Sequence, residues 1–128
     1  MIAFVDINDT CRAAAAAVLY QAATGQPAAH VGVFAEEGIR PGSIVQTAAA
    51  ECGIALQAVT SVALTAELLE KADRVVAVTA AIAARMREDY PDCAHKIGSM
   101  EVPDPFGMGK QAYLDCFESL RQQVEALE

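Results

Sequence analysis

The chain has no tryptophan, and aromatic residues make up only 5% of it against a hydrophobic fraction of 54%. Its core must therefore be built mainly from Ala, Val, Leu and Ile. Basic residues are also scarce: 9 Lys and Arg stand against 17 Asp and Glu, a net charge of −8. Without a basic stripe to neutralise a phosphate backbone, nucleic acid is excluded as a partner, and an anionic membrane is disfavoured for the same reason. No apolar run approaches the roughly 20 residues that span a bilayer. The N-terminus lacks the basic region of a secretory signal, so the expected location is the cytoplasm. The four cysteines, Cys11, Cys52, Cys93 and Cys116, are scattered. None forms a C-x-x-C pair or shows zinc-ligand spacing, which leaves free thiols in a reducing compartment and implies no metal and no cofactor. There is no internal repeat and no linker, so residues 1–128 read as one domain.

Short apolar runs alternate with helical segments. Ile2 to Val5 reads as a buried strand, His30 to Phe34 as a second, Val75 to Val78 as a β-branched central strand, and His95 to Gly98 as a shorter fourth. Between them, Arg12 to Thr24 reads as an alanine-rich helix stopped by Gly25 and Pro27, and Ser43 to Cys52 as another stopped by Gly53. A short helix opens after Thr65 as N-cap, a further one runs from Ala80 to Tyr90, and the last covers Lys110 to Glu128. In that last helix Tyr113, Cys116, Phe117, Leu120, Val124 and Leu127 recur at helical spacing. The alternation predicts an α/β fold: a three-layer, doubly wound, four-stranded parallel sheet with helices on both faces, whose ligands sit beyond the carboxyl ends of the strands.

Asp6 to Arg12 lies at such an end. A strand, a tight loop and a helix N-terminus in this order bring backbone N–H groups and the positive end of a helix dipole to one point, which suits an anion. The stretch Val5-Asp6-Ile7-Asn8-Asp9-Thr10-Cys11-Arg12-Ala13 resembles, without a gap, the phosphate-binding loop of the low-molecular-weight protein tyrosine phosphatases, commonly V-C-T-G-N-T-C-R-S in bacteria. Three further segments are similar to that family in the same order. They are Val31 to Ala35 (VGVFA), Leu64 to Thr79 (LTAELLEKADRVVAVT) and Val102 to Gly107 (VPDPFG). Thr10 and Phe106 resemble the bacterial branch that includes protein-arginine phosphatases.

The resemblance implies the fold, and it implies roles. Ile7, Asn8, Asp9, Thr10, Cys11 and Arg12 map onto the ligand-binding loop, Arg12 onto the phosphate-binding arginine, and Asp104 onto the general acid. Asp6 falls on the position of the catalytic cysteine. The family mechanism needs a thiolate there to attack phosphorus. An ionised carboxylate instead repels the anion by about 4 kcal/mol per unit charge at 4 Å and an effective dielectric near 20. Ala13 also replaces a serine that helps the thiolate, Asp9 replaces an Asn, and Asn8 replaces a Gly and must meet any positive φ there. These departures imply a catalytically silent binding or regulatory module in which the Asp6 carboxylate lies in the cradle, accepts loop N–H groups and pairs with Arg12. The alternative is a phosphatase for phosphotyrosine, phosphoarginine or a small phosphoester, with Asp6 as phosphoryl acceptor, aided by Mg²⁺, and Asp104 as general acid. Arsenate reduction, also found on this fold, needs the missing nucleophile. Expected partners are a phosphorylated protein or small anionic ligand at the loop, or a protein at a rim of Ile7, Asn8, Glu36, Phe106 and Met108. Met100 and Met108 flank Asp104; ordinary packing is the first reading for them and an apolar wall for a ligand the second.

Overall fold

The computed structural model describes residues 1–127. Strands β1 (Ile2–Asp6), β2 (Ala28–Gly32), β3 (Arg74–Ala77) and β4 (Ile97–Ser99) form one parallel sheet in the order β2-β1-β3-β4. The helices are α1 (Arg12–Thr24), α2 (Ser43–Glu51), α3 (Ala66–Lys71), α4 (Ala80–Asp89) and α5 (Lys110–Ala126), with a 3-10 helix at Pro91–Lys96. No helix among the described residues is long and apolar enough to cross a membrane.

Alternation along β1 divides the core. Ile2 and Phe4 face one layer with α1, α2 and α5, through Val45, Ala48, Phe117, Leu120 and Val124. Ala3 and Val5 face the other, with Leu69 of α3 and Ala83 and Met86 of α4. This is the three-layer, doubly wound arrangement that the strand and helix pattern predicts. All of Ala13 to Ala17 is buried. Methyl side chains let α1 lie close to the sheet and to α5 at once, so the scarcity of aromatics is met by close approach rather than bulk.

Several boundaries differ from expectation. The second strand is Ala28–Gly32, two residues earlier than His30 to Phe34. Beyond Gly32 the chain turns over the loop after β1, with Val33 N–H donating to the Asp6 carbonyl at 2.9 Å and Phe34 N–H to the Ile7 carbonyl at 2.8 Å. Phe34 is left exposed. The fourth strand is Ile97–Ser99, because His95 and Lys96 belong to the 3-10 helix. There Lys96 Nζ donates to the Ala72 carbonyl at 2.8 Å. The second helix ends at Glu51 and the fourth at Asp89, each one residue early. The expected end of the last helix, Glu128, lies outside the described residues. The Thr65 cap is as expected, accepting from Leu68 N–H at 3.2 Å, and Thr79 caps α4 in the same way.

β1 is the strand at which the sheet changes direction, with β2 on one side and β3 on the other. The carboxyl end of such a strand opens into a crevice between diverging connections. Asp6 ends β1 there. Gly32 of β2 makes the crossing possible: a Cβ at this position would lie 2.6 Å from the Ile7 carbonyl oxygen and 2.8 Å from Asp9 N, both backbone atoms. Gly32→Ala should therefore cost about 1–3 kcal/mol by overpacking and lower the melting temperature. Gly98→Ala on β4, which meets nothing within 4 Å, should stay within about 0.5 kcal/mol of the parent. Equal losses in both variants would show that crowding at the loop is not the cause.

Candidate functional site

Asp6 is 3% exposed and sits at the floor of the loop after β1. Its Oδ1 accepts from Asp9 N–H, and its Oδ2 accepts from Ala13 N–H, in the first turn of α1, at 2.9 Å. Burial pushes the carboxyl up to about 6, opposed by the Ala13 hydrogen bond and reinforced by the neighbouring Asp9 charge. The expectation that its carboxylate lies within the cradle and takes loop N–H groups matches this geometry. Filling the cradle is another matter. The N–H groups of Ile7, Asn8, Thr10, Cys11 and Arg12 donate to no protein acceptor among the described residues.

The expected pairing of Arg12 with Asp6 is not what the structure contains. Arg12 is 5% exposed. Its Nη1 donates to the Val102 carbonyl at 2.8 Å, and its Nη2 lies 4.0 Å from Asp104 Oδ2. The guanidinium is thus anchored on the segment between β4 and α5, because the Asp6 oxygens are already turned towards backbone N–H groups beneath it. Asp104 Oδ1 also accepts from Phe106 N–H at 3.1 Å and shapes the turn that carries Phe106.

Asp9 has a different role from the one its sequence position suggests. It carries the loop's positive φ, 55°, which was expected at Asn8. Asp and Asn are the non-glycine residues that visit this region most readily. Its carboxylate turns away from the pocket: Oδ2 lies 2.6 Å from His30 Nδ1 on β2 and accepts from Val62 N–H at 2.9 Å. The other oxygen, Oδ1, is buried with no partner among the described residues. His30 lies within the second strand, where the apolar run gives no sign of a partner. The hydrogen bond to Asp9 raises its pKa, against the opposing effect of partial burial. A protonated His30 opposite a buried carboxylate gives a charge-assisted bond that offsets part of the cost of the orphan oxygen.

The pocket above Asp6 holds about 280 Å³. It brings together the sequence-predicted Asp6, Ile7, Asn8, Thr10, Cys11, Arg12, Asp104 and Phe106. Asp9 is absent from the lining. The expected rim is divided: Ile7, Asn8 and Phe106 border this pocket, whereas Met108 borders a neighbouring one under the Asp104 turn. Glu36 borders neither, its carbonyl being engaged by the Ser61 hydroxyl. Met100 is buried core rather than wall. Sequence reasoning missed Gly42, Ile44 and Val45 at the start of α2, and Tyr113 on α5, as lining residues. Exposed Ile44 in the first turn of α2 is the one local signal, an apolar residue left outside the core.

A raised folded pKa at His30 means that the pair stabilises fully below the unfolded value of about 6.5 and is lost as pH rises through the folded value. The denaturation midpoint of the natural chain should fall as pH rises above about 6.5, and His30→Ala should flatten that fall. The rise at Asp6 acts in the same sense but over a lower window, between about 4 and 6. An unchanged slope in His30→Ala would show that the pair contributes nothing.

The geometry agrees with comparisons to known proteins. No curated protein matches the sequence. Among solved structures, the YwlE arginine phosphatase from Geobacillus stearothermophilus superposes with a TM-score of 0.89 at 26% identity, over 98% of this chain and 88% of that one. The low molecular weight protein tyrosine phosphatase from T. tengcongensis superposes at 0.89 with 28% identity, over 98% and 95%. The tyrosine phosphatase Wzb from Escherichia coli K30, solved in complex with sulphate, reaches 0.91 at 18% identity over 98% and 94%, a likeness of fold. With the family model for low molecular weight phosphotyrosine protein phosphatase matching residues 1–128 as well, the chain belongs to that family.

Proposed function

We propose that this chain is a binding or regulatory module on the phosphatase fold, which holds an oxyanion at the loop without turning phosphoesters over. The observation that carries this reading is the Asp6 carboxylate at the floor of the loop, both oxygens held by backbone N–H groups, where the family resemblance puts the attacking thiolate. A carboxylate fixed in this way is a poor nucleophile towards a dianion, since at 4 Å the repulsion is about 4 kcal/mol per unit charge at an effective dielectric near 20.

Binding is less affected than turnover. A carboxyl whose pKa lies near 6 needs only about 1.4 kcal/mol to be protonated at pH 7. That cost is far below the repulsion it removes. The anion then enters together with a proton, facing the free N–H groups of Ile7, Asn8, Thr10, Cys11 and Arg12 and the dipole of α1. Asp104 supports the Arg12 side of the pocket and the turn beneath Phe106. Candidate ligands are a phosphorylated protein or a small oxyanion, with the exposed Ile7, Ile44 and Phe106 as contacts around the anion. The second reading, Asp6 as phosphoryl acceptor, is favoured only by Asp104 lining the same pocket, where it could protonate a leaving group.

Turnover of aryl phosphate and phosphoarginine separates the two. The natural chain should show none, with or without Mg²⁺, and Asp6→Cys should gain measurable activity. Turnover by the natural chain that vanishes in Arg12→Ala would establish the acceptor reading instead. Sulfate, whose charge is constant over this range, should bind with a dissociation constant that is flat below about pH 6 and rises about tenfold per pH unit above it. A pH-independent constant would remove the proton from the binding step.

A further inference from the structure

The chain uses only part of what the Asp6 carboxylate can accept. Its two oxygens offer about four acceptor positions. Asp9 N–H takes one on Oδ1, and Ala13 N–H takes one on Oδ2 at 2.9 Å. No other donor among the described residues reaches either oxygen. Arg12, the cation that closes the loop, is bonded to the Val102 carbonyl and stands beside Asp104 instead. Asp6 is buried and still lines the pocket, so the unfilled acceptor positions belong to the pocket floor.

Walls and floor therefore suit different parts of a ligand. The free N–H groups of Ile7, Asn8, Thr10, Cys11 and Arg12 suit bare anionic oxygens. The carboxylate beneath them suits a hydrogen-bond donor. Sulfate and the dianion of a phosphate ester carry acceptors only, and meet the floor lone pair to lone pair. Hydrogen phosphate, HPO₄²⁻, carries both kinds: three bare oxygens and one P–OH. An O–H···O⁻ bond closes to about 2.5–2.7 Å and is roughly twice as strong as a neutral one. Sites built to bond a ligand hydroxyl reject the analogue without it by up to about 10⁵-fold.

We propose that the pocket above Asp6 is selective for inorganic phosphate, with the ionised Asp6 carboxylate accepting the P–OH hydrogen and so discriminating against sulfate and phosphate esters. This rests on the anion-binding reading and names its ligand. Burial pushes the Asp6 carboxyl up to about 6, so it is ionised at pH 7.5 and above. There sulfate or an ester enters only after Asp6 has taken a proton from solvent, whereas hydrogen phosphate supplies the hydrogen itself. Other titratable and charged groups surround the same space. Asp9 lies in the loop with its carboxylate turned to His30 on β2. Cys11 and Arg12 stand at the start of α1, Tyr113 on α5, and Asp104 on the segment before it. All three anions meet these groups alike. The ratio of two dissociation constants on one protein therefore cancels their titration.

The test is calorimetric titration of the natural chain with sodium sulfate, methyl phosphate and inorganic phosphate at constant ionic strength. Sulfate should bind at pH 5. From pH 7.5 to 9, sulfate and methyl phosphate should weaken about tenfold per pH unit, while phosphate should change less than about threefold. Parallel weakening of phosphate and sulfate would overturn the selectivity, as would methyl phosphate holding its affinity alongside phosphate. In Asp6→Asn, and in Asp6→Ala as a variant that puts no amide against the loop N–H groups, the ratio of the sulfate to the phosphate constant should stop changing over this range. A ratio that still climbs in a folded variant would overturn the role of Asp6. Failure of sulfate to bind at pH 5 would refute the anion-binding reading itself. Sulfate binding at pH 5 with parallel weakening above pH 7.5 would refute the phosphate selectivity alone.

Discussion

The buried carboxylate of Asp6 holds three pieces of backbone in one arrangement. It ends β1, accepts the Asp9 N–H in the middle of the loop, and accepts the Ala13 N–H at the start of α1. The loop therefore curls around a side chain from its own first residue. A buried carboxylate of this kind is stable only because two N–H groups are aimed at it. Those N–H groups would in turn be orphaned donors without it. The remaining loop N–H groups and Arg12 stay available above, which makes the floor acidic and the walls electropositive.

A second set of contacts fixes the loop from outside. Asp9 turns its carboxylate away from the pocket to His30 and the Val62 N–H, drawing β2 and the segment before α3 to the back of the loop. Gly32 supplies the absent Cβ that lets the Ile7 and Asp9 backbone cross β2. The two acidic residues in one short loop thus divide the work: Asp6 supports the pocket side and Asp9 anchors the opposite side. Only Asp6 of the two faces the pocket, since the Asp9 carboxylate is spent on His30 and Val62. The protonation cost at Asp6 is set by burial, and burial is a tertiary property.

The fold was readable because its signals are local. The apolar run Ile2 to Val5, the β-branched run at Val75 to Val78, Thr65 as a cap, and Gly25 as a helix stop, in the left-handed region at φ 71°, each act within a few residues. Strand ends were less legible, since Val33 and Phe34 look like strand but turn to meet the Asp6 and Ile7 carbonyls. Within the site, the loop residues and Asp104 could be named from their order along the chain.

The sequence by itself determined the α/β architecture, the place of the loop at the end of β1, and the presence of a carboxylate on that floor, because each follows from residues adjacent in the chain. Only the tertiary structure decided which partners those residues take. Arg12 bonds to the Val102 carbonyl rather than to Asp6, and Asp9 bonds to His30. Each of these pairings joins segments far apart in sequence, and each depends on how α5 and β2 pack around the loop. Hydrogen-bond and charge partners at such range are fixed by packing, and packing leaves no periodic trace in the sequence around either residue.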